Sequence, residues 1–144
     1  MTLKGILKEK PAAVISVTTE TTISDVVDVL AEKRIGAVLV LDEAGEMRGI
    51  LSERDIVRNL AKHESATLTL LAKDLMTPNP TTASPAATVA DAMEIMTDGR
   101  FRHLPVVENG KLIGLVSIGD VVKARLSQQE HEVDSLRAYV SGGV

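Results

Sequence analysis

Residues 100–120 read RFRHLPVVENGKLIGLVSIGD, and this stretch decides the fold. Leu104 to Val107 is an apolar run too short for a helix. Asn109-Gly110 is the strongest short-range hairpin signal, because both residues tolerate positive φ, and Leu112 to Val116 is the return strand. Ser117 and Asp120 follow where a strand gives way to a helix, while Arg102 and His103 stand at the mouth of the first strand. A hydroxyl, a carboxylate and two basic groups are thereby gathered at one end of a small sheet.

The same layout occurs once before. Residues 34–55 read RIGAVLVLDEAGEMRGILSERD, with Arg34, Val40, Gly45, Gly49, Ser52 and Asp55 matching Arg100, Val106, Gly110, Gly114, Ser117 and Asp120. The first copy carries one extra residue in its hairpin turn. Upstream, Thr22-Ile-Ser-Asp25 matches Thr88-Val-Ala-Asp91, each opening an amphipathic segment. Two copies therefore span nearly the whole chain at a separation of about 66 residues, the mark of an internal duplication.

Composition narrows the function classes. A chain of 144 residues fits one domain or a tight pair of subdomains and needs no disulfide or metal to build a core. It has no cysteine, and its three histidines (His63, His103, His131) show no zinc-ligand spacing. A net charge of −4 disfavours a nucleic-acid partner. No run of about 18 apolar residues predicts a membrane span, and no apolar segment of signal-peptide type opens the chain, so a cytoplasmic protein is expected. One Tyr, one Phe and no Trp leave Val, Ile, Leu, Ala and Met to fill the core. A planar ligand would lie against branched aliphatics.

In chain order, Leu3, Ile6 and Leu7 predict a short helix ended near Pro11, and Val14 to Val17 a short strand. Thr22 caps the next helix with Asp25 completing a capping box, and Ile23, Val26, Val27 and Leu30 give its apolar stripe. The helix ends at Arg34-Ile35-Gly36. Ala37 to Leu41 and Met47 to Leu51 form a hairpin across residues 42–45, and Glu53 to Ala61 a second helix. Residues 63–75 read as a joint anchored by Leu68, Leu70 and Leu71. Thr81 to Ala83 opens the second copy, Val89, Ala92, Met93 and Met96 line its first helix, and Gly99 stops that helix. The last helix starts near Ile118 and runs to Val140, with Leu126, Gln129, Val133, Leu136 and Val140 at heptad-like spacing and a frayed end at Ser141-Gly142-Gly143. The expected divisions are 1–62 for the first copy with its N-terminal segment, 63–75 for the joint, 76–124 for the second copy, and 125–144 for the C-terminal helix and tail. Each copy reads strand–helix–strand–strand–helix. Two copies about a pseudo-twofold axis, each a small sheet packed by two helices, make an α+β architecture.

The two 34–55 and 100–120 segments, their repetition and the Leu75-Met76-Thr77-Pro78 approach resemble a tandem pair of CBS (cystathionine-β-synthase-type) domains over about residues 14–60 and 76–124. The resemblance implies a stand-alone regulatory module, not an enzyme, that binds an adenine nucleotide. AMP, ADP, ATP, NAD(H) and S-adenosylmethionine are ligands of the family, and Mg²⁺ can accompany ATP. It also implies a homodimer holding four repeats in a disc, and a regulated protein partner.

Ser52-Glu-Arg-Asp55 and Ser117-Ile-Gly-Asp120 are, on residue type alone, helix N-caps. A carboxylate there also suits a ribose diol, and the free amides of a helix start favour a phosphate. Arg102 offers a forked donor set to phosphate and His103 a ring N–H, whereas Gly36 and Ala37 hold the matching positions of the first copy, so the two sites cannot be equivalent. Phe101 and Ile35 match each other and serve either as core or as a wall for adenine. Lys33, Arg34, Arg54 and Arg100 add positive charge near these mouths. Family geometry implies sites built from both copies. One takes Ser117, Asp120 and His103 with Ile35, Gly36 and Lys8. The other takes Ser52 and Asp55 with Thr77, Phe101 and Arg102. Ala37, Arg54 and Gly119 complete the implied set. No triad order, paired carboxylates or P-loop pattern marks an active site. The rival reading is an adaptor module with vestigial clefts that works through protein–protein contacts.

Overall fold

The computed structural model describes residues 1–10 and 14–142; the expected stop at Pro11 and the tail residue Gly143 lie outside them. In order the elements are α1 (Leu3–Glu9), β1 (Ser16–Thr18), α2 (Ile23–Lys33), β2 (Ala37–Leu41), β3 (Met47–Ser52), α3 (Glu53–His63), a 3₁₀ segment (Glu64–Thr69), α4 (Ala72–Leu75), β4 (Thr77–Pro78), α5 (Val89–Gly99), β5 (His103–Glu108), β6 (Lys111–Ser117) and α6 (Ile118–Gly142). The fold is α+β with two small sheets. Contacts divide the chain into two compact units, Ala13–Thr81 and Met1–Ala12 with Thr82–Val144.

In the unit of the first repeat the sheet order is β1-β2-β3-β4, with β1 parallel to β2 and the other pairs antiparallel. The parallel pair needs a crossover, which α2 supplies. Helix α2 lays Ile23, Val26 and Leu30 on Val17, Val38, Val40 and Leu51. In the β2–β3 turn Asp42 Oδ1 accepts from the Ala44 and Glu46 N–H groups at 2.9 Å each, and its Oδ2 pairs with Arg48 at 2.7 Å. This carboxylate holds the longer turn of the first copy.

In the unit of the second repeat β5 pairs with β6 across Asn109 (φ 52°) and Gly110 (φ 77°), the two positive φ values that a type I′ turn requires. Helix α5 packs Val89, Ala92 and Met96 on Leu104, Val106 and Val116. The expected opening strand at residues 81–83 contracts to one parallel bridge, Ala83 to Val106.

Several boundaries differ from the sequence reading. The N-terminal segment, expected with the first repeat, packs in the second-repeat unit. Leu3 and Ile6 are buried in that core, and Leu3 N–H donates to Ala87 O (2.9 Å) while Val89 N–H donates to Met1 O (3.1 Å). Residues 63–75 are no mere joint. Thr67 and Ala72 are fully buried, Leu70 packs on the first-repeat core, and Ile23 N–H donates to Leu70 O (2.8 Å), although Leu68 is exposed. Thr77-Pro78, read as the approach to the second copy, is β4 and pairs with β3 of the first. Helix α6 crosses the expected division at 124 without a break and includes Ser141, read as frayed. Gly99 lies within α5; the left-handed residue that ends it is Arg100 (φ 56°), as Arg34 (φ 54°) ends α2. In both, the residue after the arginine donates five residues back, Ile35 to Leu30 O and Phe101 to Met96 O, so the closing bonds offset the strained arginine.

The two units share a closing device. In each return strand a glycine meets an arriving segment. A Cβ on Gly114 would lie 2.6 Å from Leu7 of α1, and one on Gly49 would lie 2.6 Å from Thr77 O and 2.7 Å from Met76 Sδ. The bridges Thr2–Thr88 and Thr22–Leu71 fix the two segments in the same way. Helix α1 thus does for the second repeat what α4 and β4 do for the first. Leu3→Ala is expected to destabilise the protein by about 2–5 kcal/mol, as for a truncated core leucine. Thermal and urea melts check this, and a loss near zero would make α1 an appendage.

Candidate functional site

Each unit presents a serine at a strand end and an aspartate in the first turn of the following helix. At α3 the Ser52 N–H and the Ser52 hydroxyl both donate to Asp55 Oδ2 at 2.9 Å, while Asp55 N–H donates to Ser52 Oγ at 3.3 Å. At α6 the Ser117 N–H donates to Asp120 Oδ2 (2.9 Å) and Asp120 N–H to Ser117 Oγ (3.1 Å). The N-cap reading is thus correct at both helices. In each carboxylate Oδ2 is committed to the cap, and among the described residues Oδ1 carries no hydrogen bond.

The surroundings differ. Lys10, just past α1, donates to Asp120 Oδ2 at 2.8 Å and to Leu115 O at 2.9 Å. The sequence reading assigned Lys8 to the nucleotide site that holds Asp120 and did not single out Lys10; Lys8 is exposed on α1, and the ion pair with Asp120 is made by Lys10. The signal was a lysine beyond the helix, but nothing local told that α1 packs along β6. At the other carboxylate no ion pair forms among the described residues. Counted from the bridges Thr2–Thr88 and Leu71–Thr22, the counterpart of Lys10 is the exposed, uncharged Asn79.

Other expected site residues fall into two groups. In the second-repeat unit His103 stands directly across from Ser117 in the β5–β6 register, so strand pairing brings ring and hydroxyl to one sheet end. Arg102 is exposed and its carbonyl accepts from Ile118 N–H at 2.8 Å; Gly119 is exposed in the first turn of α6. Phe101 is half-exposed and packs on the core with its ring over Gly99, where a Cβ would lie 2.1 Å from the ring edge. In the first-repeat unit Ala37 stands across from Ser52, Gly36 O accepts from Glu53 N–H at 2.9 Å, and Ile35 packs on the core. These repeat the Arg102–Ile118 and His103–Ser117 relations, with glycine and alanine where the second repeat has arginine and histidine. Arg54 and Thr77 are exposed.

Electrostatics separates the carboxylates. Burial alone would raise the Asp120 carboxyl. The Lys10 hydrogen bond, the Ser117 N–H and the Lys10 charge outweigh it and hold the group below its ordinary 3.8, with the Ser117 hydroxyl contributing least. Among the described residues no cluster of three or more His, Asp or Glu side chains is placed to hold a metal, and no helix is long and apolar enough to cross a membrane.

Comparison with known proteins follows the duplication. The CBS domain family matches residues 11–62 and again 72–127. The mitochondrial CBS domain-containing protein CBSX3 of Arabidopsis thaliana is 36% identical over 88% of this chain, which spans 63% of that relative's length. A CBS-domain-containing protein from Agrobacterium tumefaciens superposes with a TM-score of 0.83 at 43% identity, covering 86% of this chain and 92% of its own. A CBS domain protein from Pyrobaculum aerophilum, solved in complex with AMP, has a TM-score of 0.74 at 28% identity, covering 83% of this chain and 89% of its own.

The depressed Asp120 value gives a signed pH prediction. A carboxyl with a lowered folded pKa stabilises the protein above its unfolded value, and that stability is lost as pH falls through the folded one. In a carboxyl-carbon NMR titration Asp120 should titrate below 3.8 and move upward in Lys10→Gln. The melting-temperature gap between the two proteins at neutral pH should narrow as pH falls below 3.8 and through the lower folded value.

Proposed function

The chain belongs to the CBS domain family as a tandem pair of repeats, and on that premise we propose that it is a regulatory module binding an adenine nucleotide. The family and the Pyrobaculum relative with AMP support an adenine ligand. The observation that carries the reading is the pair of aspartates anchored through Oδ2 with Oδ1 open. One oxygen has two lone pairs, which suits two vicinal ribose hydroxyls. A helix start beside each favours a nearby phosphate. AMP, ADP, ATP and NAD(H) all carry this ribose and phosphate, and any Mg²⁺ would arrive with ATP. The role is regulatory and not catalytic: the ligand acts by favouring one conformation over another, and a partner protein reads the difference.

The partner-facing surface is part of the proposal. Helix α6 buries Val121 and Ala124, but beyond them Leu126 (55%), Val133 (47%), Leu136 (63%), Tyr139 (77%) and Val140 (64%) are exposed. Gln129, the one polar residue at that spacing, is exposed with them. We assign this heptad-spaced face to a second copy of the chain, giving a homodimer. A purely structural adaptor, the rival reading, would use the same face and leave the aspartates without a ligand.

Two measurements test this. Asp120→Ala removes two charge-assisted hydrogen bonds of about 1.5 kcal/mol each, so AMP affinity by calorimetry should fall on the order of 100-fold. Asp55→Ala should give a different ligand profile, because the two sites differ in charge; two identical, independent sites in the unmodified chain would contradict this. Val133→Asp with Leu136→Asp should shift the sedimentation of the protein at micromolar concentration from dimer to monomer while leaving AMP binding intact. An unchanged dimer would move the interface elsewhere.

A further inference from the structure

On the exposed half of α6 the residues beside the apolar seam are as patterned as the seam itself. With Leu126, Val133 and Val140 at heptad position a and Gln129 and Leu136 at d, the flanking e positions hold Glu130 and Arg137. The flanking g positions hold Arg125, Glu132 and Tyr139. Arg125 is half-exposed and the others are exposed, and among the described residues none of the four charged groups forms an ion pair within its own chain. The helix needs no partner to start. Val121 and Ala124 lock its first turns into the second-repeat core, so the remainder extends from a nucleus already formed.

Resting on the assignment of this face to a second copy, we propose that the two α6 helices pair in parallel and in register as a short coiled coil, with the second-repeat units of both copies at the same end. In a parallel pair each g residue faces the e residue five positions further on in the other helix. That sets Arg125 against Glu130 and Glu132 against Arg137, opposite charges at every charged flank. It also sets Gln129 against Gln129, amide to amide, so each can donate to the other. In an antiparallel pair a faces d, e faces e and g faces g. Where Gln129 then lies opposite Val133, Glu130 meets Glu130 and Glu132 meets Glu132. Where Gln129 lies opposite Val140, Glu130 does meet Arg137, but the amide is set against an aliphatic side chain and Leu126 falls opposite Gly143. Charge and the single polar layer therefore select one orientation.

The chain has no cysteine, so a single introduced one reports orientation. In the full chain, Leu126→Cys and Val140→Cys are oxidised with glutathione disulfide at micromolar concentration, each alone and the two mixed. A parallel pair brings like positions together, so each variant alone should give a disulfide-linked dimer; Val140→Cys, near the helix end, decides if Leu126→Cys weakens the pair. In either antiparallel arrangement like positions lie about 15 Å or more apart along the axis, at about 1.5 Å per residue. That is beyond disulfide reach, and a linked dimer would appear only in the mixture. Charge reversal gives a second readout. Arg137→Glu should weaken dimerisation in sedimentation on the order of tenfold, and adding Glu132→Arg should restore most of it, because the facing charges are then exchanged. Linkage in the mixture alone, or no such rescue, overturns the parallel pairing and leaves the homodimer standing. A dimer that links in no combination overturns the assignment of this face. A monomeric unmodified chain overturns the homodimer, and this inference with it, without touching the nucleotide reading.

Discussion

Each small sheet has a glycine in its return strand where a side chain would collide with a segment from elsewhere in the chain, and the rest of the structure depends on that vacancy. Gly114 lies under Leu7 and Gly49 under Met76 and Thr77, at distances that no Cβ could share. A three-element sandwich of one helix on a hairpin leaves one sheet edge and one end of the core open. In both repeats the open end is closed by a short stretch that pairs its backbone with the helix entrance and sends a large side chain over the glycine. The stretch is α1 for the second repeat and α4 with β4 for the first.

That closure also sets the chemistry. The segment over Gly114 goes on to bring Lys10 against Asp120, whereas the segment over Gly49 goes on to uncharged Asn79. The Ser–Asp cap comes from local sequence and is the same in both repeats. The charge beside it comes from whichever segment closes the core. Duplication with a different closing segment in each copy is enough to give the two Ser–Asp helix starts one local geometry and two electrostatic characters. Gly36-Ala37 against Arg102-His103 widens the difference at the opposite strand end.

Much of this was legible from residue types. The Asn109-Gly110 turn, the Thr22 and Thr88 caps, the apolar stripes of α2 and α5 and the twin Ser–Asp starts follow from short-range rules, because each involves residues within about four positions of one another. Asp25 is the partial exception: its N–H donates to the Thr22 hydroxyl, one half of the expected box, while Thr88 and Asp91 complete theirs. Gly99 misled as a helix stop. Glycine is the usual left-handed residue, but here its lack of a side chain serves the Phe101 ring, and Arg100 takes the positive φ.

The sequence by itself determined the duplication, the family, the α+β class and the aspartates at both helix starts, since repetition and capping are written in local spacing. Only the tertiary structure decided which segment completes which repeat. The bonds from Met1 and Leu3 to residues 87–89 join positions more than half the chain apart, and no local pattern encodes such a pairing. The same fact decided that Lys10 and not Lys8 meets Asp120. Both lie in or beside one short helix, and the side chain that reaches the carboxylate is set by how α1 lies on β6, which the fit of Leu7 over Gly114 fixes.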